Sequence, residues 1–336
     1  MTDAAPRRLR VSPLGVLSAL LGLALLAWTI RQTGTAPIAE GIRRVGWGIL
    51  AILVLGGLRF AVRAWAWALC CDSEPPLTAR ATFPAMVTGD ALGNLTPLGL
   101  FVSEPVKAAF VRHRVSLMSA LSSIGVENLL YTLTVALVIA AGTVALVFLF
   151  DTPRALQTTS LVLLGLMFVV IAAGLAVMGR QVRLVSGALA WLDRLGLGHA
   201  ALRGRLEKLR TLEDNVLGFY ARGPSRTLGI LGVETLFHVL GVIEVYVMLV
   251  LLTGPDRPSL LATFVLEAVN RAITVVFKFV PLRLGVDEAG TELLTRTLGL
   301  PGGIGVTMAL VRKVRMLFWT GAGVGFLVRR GLRPPA

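Results

Sequence analysis

The sequence predicts an all-α fold, a polytopic transmembrane helix bundle of about seven to nine spans in which some helices are broken or re-entrant. Hydrophobic residues make up 55% of the 336 residues and charged residues only 15%, whereas soluble domains carry roughly 25% charged residues. Several apolar runs approach the roughly 20 residues that a bilayer-spanning helix needs. Two further segments are apolar but interrupted by glycine or proline, which indicates half-helices at membrane depth.

The apolar runs define the predicted spans. They cover residues 13–30, 46–71, 129–150, 158–178, 228–252, 259–280 and 302–328. The first run follows Arg7, Arg8 and Arg10 and therefore imitates a signal peptide. Its length, the lack of a small-x-small cleavage site and the many later spans favour a retained first helix.

The formal net charge of +14 fits a membrane protein whose basic loops lie against anionic headgroups on the cytoplasmic side. Nucleic-acid binding is disfavoured, because no basic stretch occurs outside loops that border apolar spans. No metal or other cofactor is predicted. Cys70 and Cys71 are adjacent and form no ligand pattern, and Glu234 with His238 offers too few ligands for a metal.

We expect one transmembrane domain over residues 1–336. Its first repeat half covers about 13–179, a cytoplasmic amphipathic linker about 180–223, and the second half about 224–328. Apolar residues recur at helical spacing in the linker, so it is either a connector packed on the bundle or a helix pair on the cytoplasmic leaflet, and both can hold. With the N-terminus and the linker in the cytoplasm, residues 82–114 must make no net crossing.

Residues 82–114 are apolar but broken. The segment contains Gly89, Asp90, Gly93, Asn94, Pro97, Gly99, Glu104, Pro105 and Lys107. Irregular backbone at membrane depth requires burial in protein or a wet cavity. We therefore predict two half-helices that meet at a turn between Asn94 and Gly99.

A similar pattern returns near the end of the chain. Residues 97–104 read PLGLFVSE and residues 281–288 read PLRLGVDE, and both fit P-L-x-L-x-V-x-E. An arginine follows each glutamate by eight positions, at Arg112 and Arg296. Paired, interrupted segments in two halves of a chain indicate a transporter site. We predict two related Pro-to-Glu half-helix elements, each a helix that begins just after its proline. Glu104 and Glu288 then have no partner on their own helices and line one shared polar cavity.

Other charges inside apolar runs have structural interpretations. Glu267 and Arg271 are four residues apart and fit an ion pair within one helix. Arg59 and Arg63 either reach the cytoplasmic interface with their long side chains or serve the site. Some of the basic residues near the second element are expected to be charges at the cytoplasmic edge of the membrane, and the others to bind a phosphate group.

These stretches resemble the transmembrane region of lysylphosphatidylglycerol synthases, a flippase-like family. Its first motif, P-x-R-x-G-E-x-x-R, is matched from Pro97 to Lys107, with Ser103 for glycine and Lys107 for arginine. Its second motif, P-G-G-I-G-V-x-E, is matched by PLRLGVDE, where Leu282 and Arg283 replace the paired glycines. Its later helix with an internal arginine matches around Arg312. The middle Glu-Arg motif appears as Glu127-Asn128 and lacks the arginine.

The resemblance implies a stand-alone member without the soluble synthase domain, in the bacterial inner membrane. It implies a flippase that moves a phospholipid or related polar lipid, with membrane lipids bearing anionic headgroups as partners and an enzyme of lipid biosynthesis as a further candidate partner. The alternative is a non-catalytic membrane subunit or an enzyme of lipid or glycan biosynthesis, for example of hopanoids. No nucleophile–base set or phosphate loop supports catalysis. The substrate-binding candidates are Asn94, Glu104, Lys107, Arg112, Glu127, Arg271, Arg283, Glu288 and Arg312.

Overall fold

The computed structural model describes residues 24, 26–74, 76–96, 99–180, 187, 200–254, 258–278 and 280–331. Most of the first predicted span, Pro97, and residues 181–199 of the linker except Gly187 lie outside the described residues. The part of the chain that is described is helical and contains no strand, which confirms the all-α prediction.

We number the helices in chain order. They are α1 (Thr35–Val45), α2 (Ile49–Leu69), α3 (Ala79–Leu95), α4 (Gly99–Val111), α5 (Leu117–Leu149), α6 (Arg154–Arg180), α7 (Ala200–Arg222), α8 (Pro224–Thr253), α9 (Leu260–Val276), α10 (Val286–Thr297) and α11 (Ile304–Gly331). Short 3₁₀ turns at Gly46–Gly48 and Pro281–Arg283 precede α2 and α10.

Among the described residues, four segments are long and apolar enough to cross a membrane. They are Thr35–Leu69, Leu117–Leu149, Arg154–Arg180 and Ser225–Thr253. They cover the predicted runs that begin at residues 46, 129, 158 and 228, apart from one or two residues at the ends of the first two runs. Helix α6 packs mainly on α5 and exposes many large apolar side chains, including Val162 and Phe168. Such a surface is typical of contact with lipid rather than water.

Helices α3 and α4 form a first re-entrant hairpin. Thr82 Oγ1 donates a hydrogen bond of 2.7 Å to the Ala64 carbonyl near the end of α2, so the hairpin enters from the end of the bundle at which α2 ends. We call this the first end. A Cβ on Gly99 would overlap the Gly93 carbonyl group, so the two limbs touch backbone to backbone. The turn lies between α3 and α4, which confirms the predicted re-entrant segment.

Helices α9 and α10 form a second hairpin from the opposite, second end. Thr291 Oγ1 of α10 donates a hydrogen bond of 2.8 Å to Asn270 Oδ1 of α9. The predicted span over residues 259–280 is therefore wrong, because α9 ends at Val276 and the chain turns back along α10. Leu282 (φ 52°) and Arg283 (φ 48°) are left-handed, a conformation that interrupts a right-handed helix.

The tips of the two hairpins meet inside the bundle. Residues of the α3–α4 turn line a cavity together with Lys278, Val280, Leu282 and Arg283 from the α9–α10 turn. Arg283 Nη2 lies 3.8 Å from Met316 Sδ, near the middle of α11, so the junction is deep. Two oppositely directed broken elements that meet at mid-depth are the arrangement of many transporter sites.

Helix α11 is joined closely to α10. Glu292 accepts hydrogen bonds from the backbone N–H groups of Gly303 (3.0 Å) and Val306 (3.3 Å) at the start of α11. A Cβ on Gly305 would lie 2.5 Å from the Glu292 backbone nitrogen. The contact therefore requires glycine.

The linker helix α7 packs on the bundle at its C-terminal part. Tyr220 donates a hydrogen bond of 3.0 Å from its hydroxyl to the Val126 carbonyl of α5, and Asn215 Nδ2 lies 3.3 Å from Ser122 Oγ. This part of the linker is a packed connector. The leaflet contact stays a prediction.

The basic residues predict which end faces the cytoplasm. Arg80, Arg112, Arg114, Arg180, Arg226, Arg329 and Arg330 lie toward the first end. At the second end Arg43 and Arg44 are balanced in part by Glu40, with which both pair. The bias therefore predicts a cytoplasmic first end.

Cysteine labelling checks this orientation. In a chain whose Cys70 and Cys71 are replaced by Ser, a Glu207→Cys variant on α7 should react with a membrane-impermeant maleimide only after cells are permeabilised. Asp151→Cys at the second end should react in intact cells, since both positions are exposed. The reverse pattern would refute the orientation.

The close contact between α10 and α11 predicts that two glycines of α11 differ in how well they tolerate replacement by alanine. Gly305→Ala should lower the free energy of unfolding by about 1–3 kcal/mol, because an overpacked contact forces the two backbones apart. Gly321→Ala is the matched control on α11, since a Cβ there meets nothing within 4 Å and alanine favours helix by about 1 kcal/mol. Thermal unfolding of both purified variants tests the difference, and equal losses would contradict it.

Candidate functional site

A cluster of ion pairs lies at the centre of the bundle. Arg59 of α2 lies 3.0 Å from a Glu244 carboxylate oxygen of α8 and 3.6 Å from one of Glu267 on α9. Glu267 also pairs with Arg271 on its own helix and lies 3.8 Å from Arg312 of α11. Arg315 of α11 pairs with Glu244. We call these six residues the arginine cluster.

The cluster lies well inside the helices that carry it. Arg59 is the central residue of α2, and Glu267 is next to the centre of α9. The side chains of Arg59, Glu244 and Glu267 are all less than 10% exposed, so Arg59 does not reach the interface. Ionised groups at such depth cost about 2.5–3.5 kcal/mol each on insertion scales. They are stabilised here by partners from four different helices.

The arginine cluster contains more positive than negative charge. Four arginines face two glutamates, which leaves a formal excess of two positive charges. Three guanidinium nitrogens have no hydrogen-bond acceptor among the described residues: Arg59 Nε, Arg271 Nε and Arg312 Nη2. Buried donors without acceptors are costly, so the cluster is suited to an anion that supplies acceptors and negative charge.

Phe237 of α8 borders the cluster. The Arg59 guanidinium carbon lies 4.4 Å from its ring centroid and that of Arg271 lies 5.3 Å away. Cation–π contacts of this kind stabilise arginine without neutralising it. The positive excess therefore remains available to a ligand.

A second ion pair lies one turn from Arg59 on α2. Arg63 Nε donates a hydrogen bond of 2.9 Å to Glu127 Oε1 of α5, and its guanidinium stacks 3.8 Å from the Tyr131 ring centroid. Asn128 Oδ1 lies 3.5 Å from Arg63 Nη2. An arginine partner for Glu127 is thus present, although it comes from α2 and not from position 128.

The hairpin tips enclose a small polar cavity of about 60 Å³, which we call the tip cavity. Its lining residues are Asp90, Gly93, Asn94, Thr96, Gly99, Ser103, Lys278, Val280, Leu282 and Arg283. Lys278 interacts electrostatically with Asp90 and with Glu104 and Lys107 of α4. The tip cavity therefore carries charge of both signs.

The two motif glutamates have partners. Lys107 Nζ lies 3.0 Å from Glu104 Oε1 on the same helix, so the expectation of no such partner was wrong. Glu288 Oε2 accepts the Gly285 N–H at 2.8 Å, and Glu288 Oε1 lies 2.8 Å from Lys313 Nζ of α11. Neither glutamate lines the tip cavity.

The two Pro-to-Glu elements also differ in geometry. Helix α4 begins at Gly99 and places Glu104 in its second turn, whereas α10 begins at Val286 and places Glu288 in its first turn. The prediction that α10 begins just after its proline is therefore wrong. The left-handed residues Leu282 and Arg283 delay the helix, and the family motif as stated above has glycines there.

The structure brings the predicted site residues into neighbouring groups. Arg271 and Arg312 belong to the arginine cluster, Glu127 pairs with Arg63, and Asn94 and Arg283 line the tip cavity. Glu104 and Lys107 lie beside that cavity, and Glu288 pairs with Lys313 behind it. Arg112 is exposed just after α4 at the first end and joins none of these groups.

From the sequence alone, Glu244 had no predicted site role, and Arg315 was only one of the basic residues divided between membrane-edge charge and phosphate binding. Arg59 and Glu267 had structural alternatives. The sequence did contain a sign of their importance, because an ionisable residue inside an apolar run is a functional candidate. What the sequence did not show is that four separate helices bring these residues together.

Comparison with known proteins gives one match. A family model described as lysylphosphatidylglycerol synthase TM region matches residues 15–325, nearly the whole chain. No curated protein and no solved structure matches.

The charge balance of the arginine cluster predicts unequal effects of two variants. Glu267→Gln leaves Arg271 and Arg312 without their carboxylate, and an uncompensated buried charge costs about 3–5 kcal/mol. Arg271→Gln removes part of the positive excess and should cost less. The double variant should be more stable than Glu267→Gln alone, as measured by thermal unfolding of the purified proteins. If the two losses simply add, the residues do not interact as described.

Proposed function

Because this chain belongs to the lysylphosphatidylglycerol synthase transmembrane-region family, we propose that it moves phospholipids with anionic headgroups from one leaflet of the membrane to the other. The family points to a lipid-related function of a membrane protein. The arginine cluster is the observation that carries the more specific proposal.

A phosphate group supplies what the arginine cluster lacks. Its oxygens accept hydrogen bonds from the guanidinium nitrogens that have no acceptor, and its negative charge offsets the positive excess. Arginine binds phosphate through two parallel N–H donors, which holds the group firmly and directs it. Without such a site, the polar headgroup would have to cross an apolar interior.

At the seam between α2 and α11, one residue of the arginine cluster approaches the lipid side. The side chain of Arg315 is 22% exposed, and it lies on α11 between Val314 and Phe318, which are exposed to the lipid side. Gly56 on α2 leaves space for it, since a Cβ there would lie 2.8 Å from Arg315 Cδ. A headgroup entering at this seam leaves its acyl chains in the bilayer.

A transfer assay with the purified chain tests the proposal. Proteoliposomes carry fluorescent phosphatidylglycerol, and an impermeant reductant bleaches the label in the outer leaflet. Wild-type protein should make the inner-leaflet label accessible. Arg312→Gln should slow this transfer about tenfold or more, because a hydrogen bond to a charged group contributes about 1.5–3 kcal/mol. Labelled phosphatidylcholine should move more slowly, since its choline offsets the phosphate charge.

Arg43→Gln is the matched control. Arg43 is exposed and pairs with Glu40 at the second end, so its loss should leave transfer unchanged. Thermal unfolding of Arg312→Gln establishes that the variant is folded. No transfer by folded wild-type protein would refute transport by this chain alone and favour the role of a subunit in lipid biosynthesis. Equal rates for Arg312→Gln and wild type would refute the site.

A further inference from the structure

Glu234 is a buried carboxyl group that the arginine cluster does not use. It lies on α8, its residue is 0% exposed, and among the described residues neither Oε1 nor Oε2 accepts a hydrogen bond from a donor. An ionised carboxylate in such a place is strongly disfavoured. A protonated carboxyl group is neutral and can itself donate.

The group that Glu234 faces is another carboxyl group. Glu234 and Glu127 are close enough for a hydrogen bond between their side chains, and we call them the carboxyl pair. Two ionised carboxylates cannot form that bond, because neither has a donor hydrogen. Arg63 contacts both electrostatically and binds Glu127 directly, so it balances one negative charge and leaves the second to a proton.

The surrounding groups do not supply another cation at hydrogen-bond distance. The electrostatic neighbours of the carboxyl pair are Arg63 and Cys70 of α2 and Tyr220 of α7. Tyr131 of α5 lies next to Arg63, and Arg226 near the start of α8 lies next to Cys70. Arg226 forms an ion pair with Asp72 and donates a hydrogen bond to the Leu69 carbonyl. His238, one turn along α8, contacts Thr134 Oγ1 at 3.2 Å.

We propose that the carboxyl pair is a proton-binding site that couples proton movement to lipid transfer. One proton adds to a carboxylate oxygen of Glu234, which then donates to Glu127, and the same proton returns to water when Glu234 ionises. The coupling rests on the proposed function, whereas the proton site itself does not.

A polar cavity lies near the first end, beside residues that adjoin the carboxyl pair. It has a volume of about 270 Å³ and is lined by Ser119, Ser122 and Ser123 of α5, together with Cys70 and Val126. Val126 directly precedes Glu127 in the sequence. Cys70, which lines the cavity, also interacts electrostatically with Glu127 and Glu234, so we expect protons to reach the carboxyl pair from this side.

The proton site and the arginine cluster are close enough to interact. Arg59 and Arg63 occupy successive turns of α2, and the Tyr131 and Phe237 rings pack between them and against each other, 5.6 Å apart. An anionic headgroup at the cluster reduces the local positive charge and so favours protonation of Glu234. By linkage, protonation then favours headgroup binding to the same extent.

Infrared titration of the purified full chain tests the proton site without any transport. Wild-type protein should show a protonated carboxylic acid C=O band that disappears between about pH 5 and about pH 9, the range in which buried carboxyl groups titrate. Glu234→Gln should lose this band, and the exposed control Glu207→Gln should keep it. A wild-type protein without a titrating band, or a Glu234→Gln protein that retains it, would overturn the proposal.

A transfer assay with an imposed pH gradient tests the coupling. Acidification on the labelled side should speed transfer of phosphatidylglycerol by wild-type protein about fivefold or more, the lower range of typical coupling between two sites. Glu234→Gln should lose this response and Glu234→Asp should retain part of it. If the rate of transfer by wild-type protein does not change with the pH gradient, the coupling is refuted. If wild-type protein transfers no lipid but its band titrates, the proposed function fails and the proton site stands.

Discussion

The burial of charge halfway along apolar helices is the constraint on which the rest of this structure depends. At that depth an arginine needs a carboxylate partner, and a carboxylate needs an arginine, a lysine or, as proposed for Glu234, a proton. Glu244 joins α2 to α11 and Glu267 joins α9 to both. In a bilayer, where apolar contact between helices gains little over contact with lipid, such pairs determine which helices are neighbours.

The two hairpins also bury polar groups at membrane depth, but these groups belong to the backbone. A half-helix leaves backbone groups unpaired at its tip, and these are tolerated only inside protein or beside water. Gly93 and Gly99 bring the limbs of α3 and α4 into backbone contact, and the second hairpin covers their turn. The polar side chains at the tip cavity thus lie where the backbone itself needs a polar environment.

The sequence predicted the first hairpin because glycine, proline and charge interrupt residues 82–114 together. It failed at the second hairpin, since residues 259–280 contain no glycine or proline and the break depends on Leu282 and Arg283, whose side chains give no sign of a left-handed backbone. Glu104 and Glu288 were found by their shared register, but register does not reveal partners. Lys313 reaches Glu288 from another helix. Contacts of this kind depend on how the helices pack, which cannot be read from a single sequence. Glu234 was noticed only as a poor metal ligand, because its proximity to Glu127 is also a product of packing.

The joint between α10 and α11 has a mechanical consequence. Two backbone hydrogen bonds to Glu292, from Gly303 and Val306, together with the close contact at Gly305, join α11 to α10 at the second end. We therefore expect a displacement of the second hairpin to move α11 as well, whose C-terminal end lies beside Phe110 at the first end.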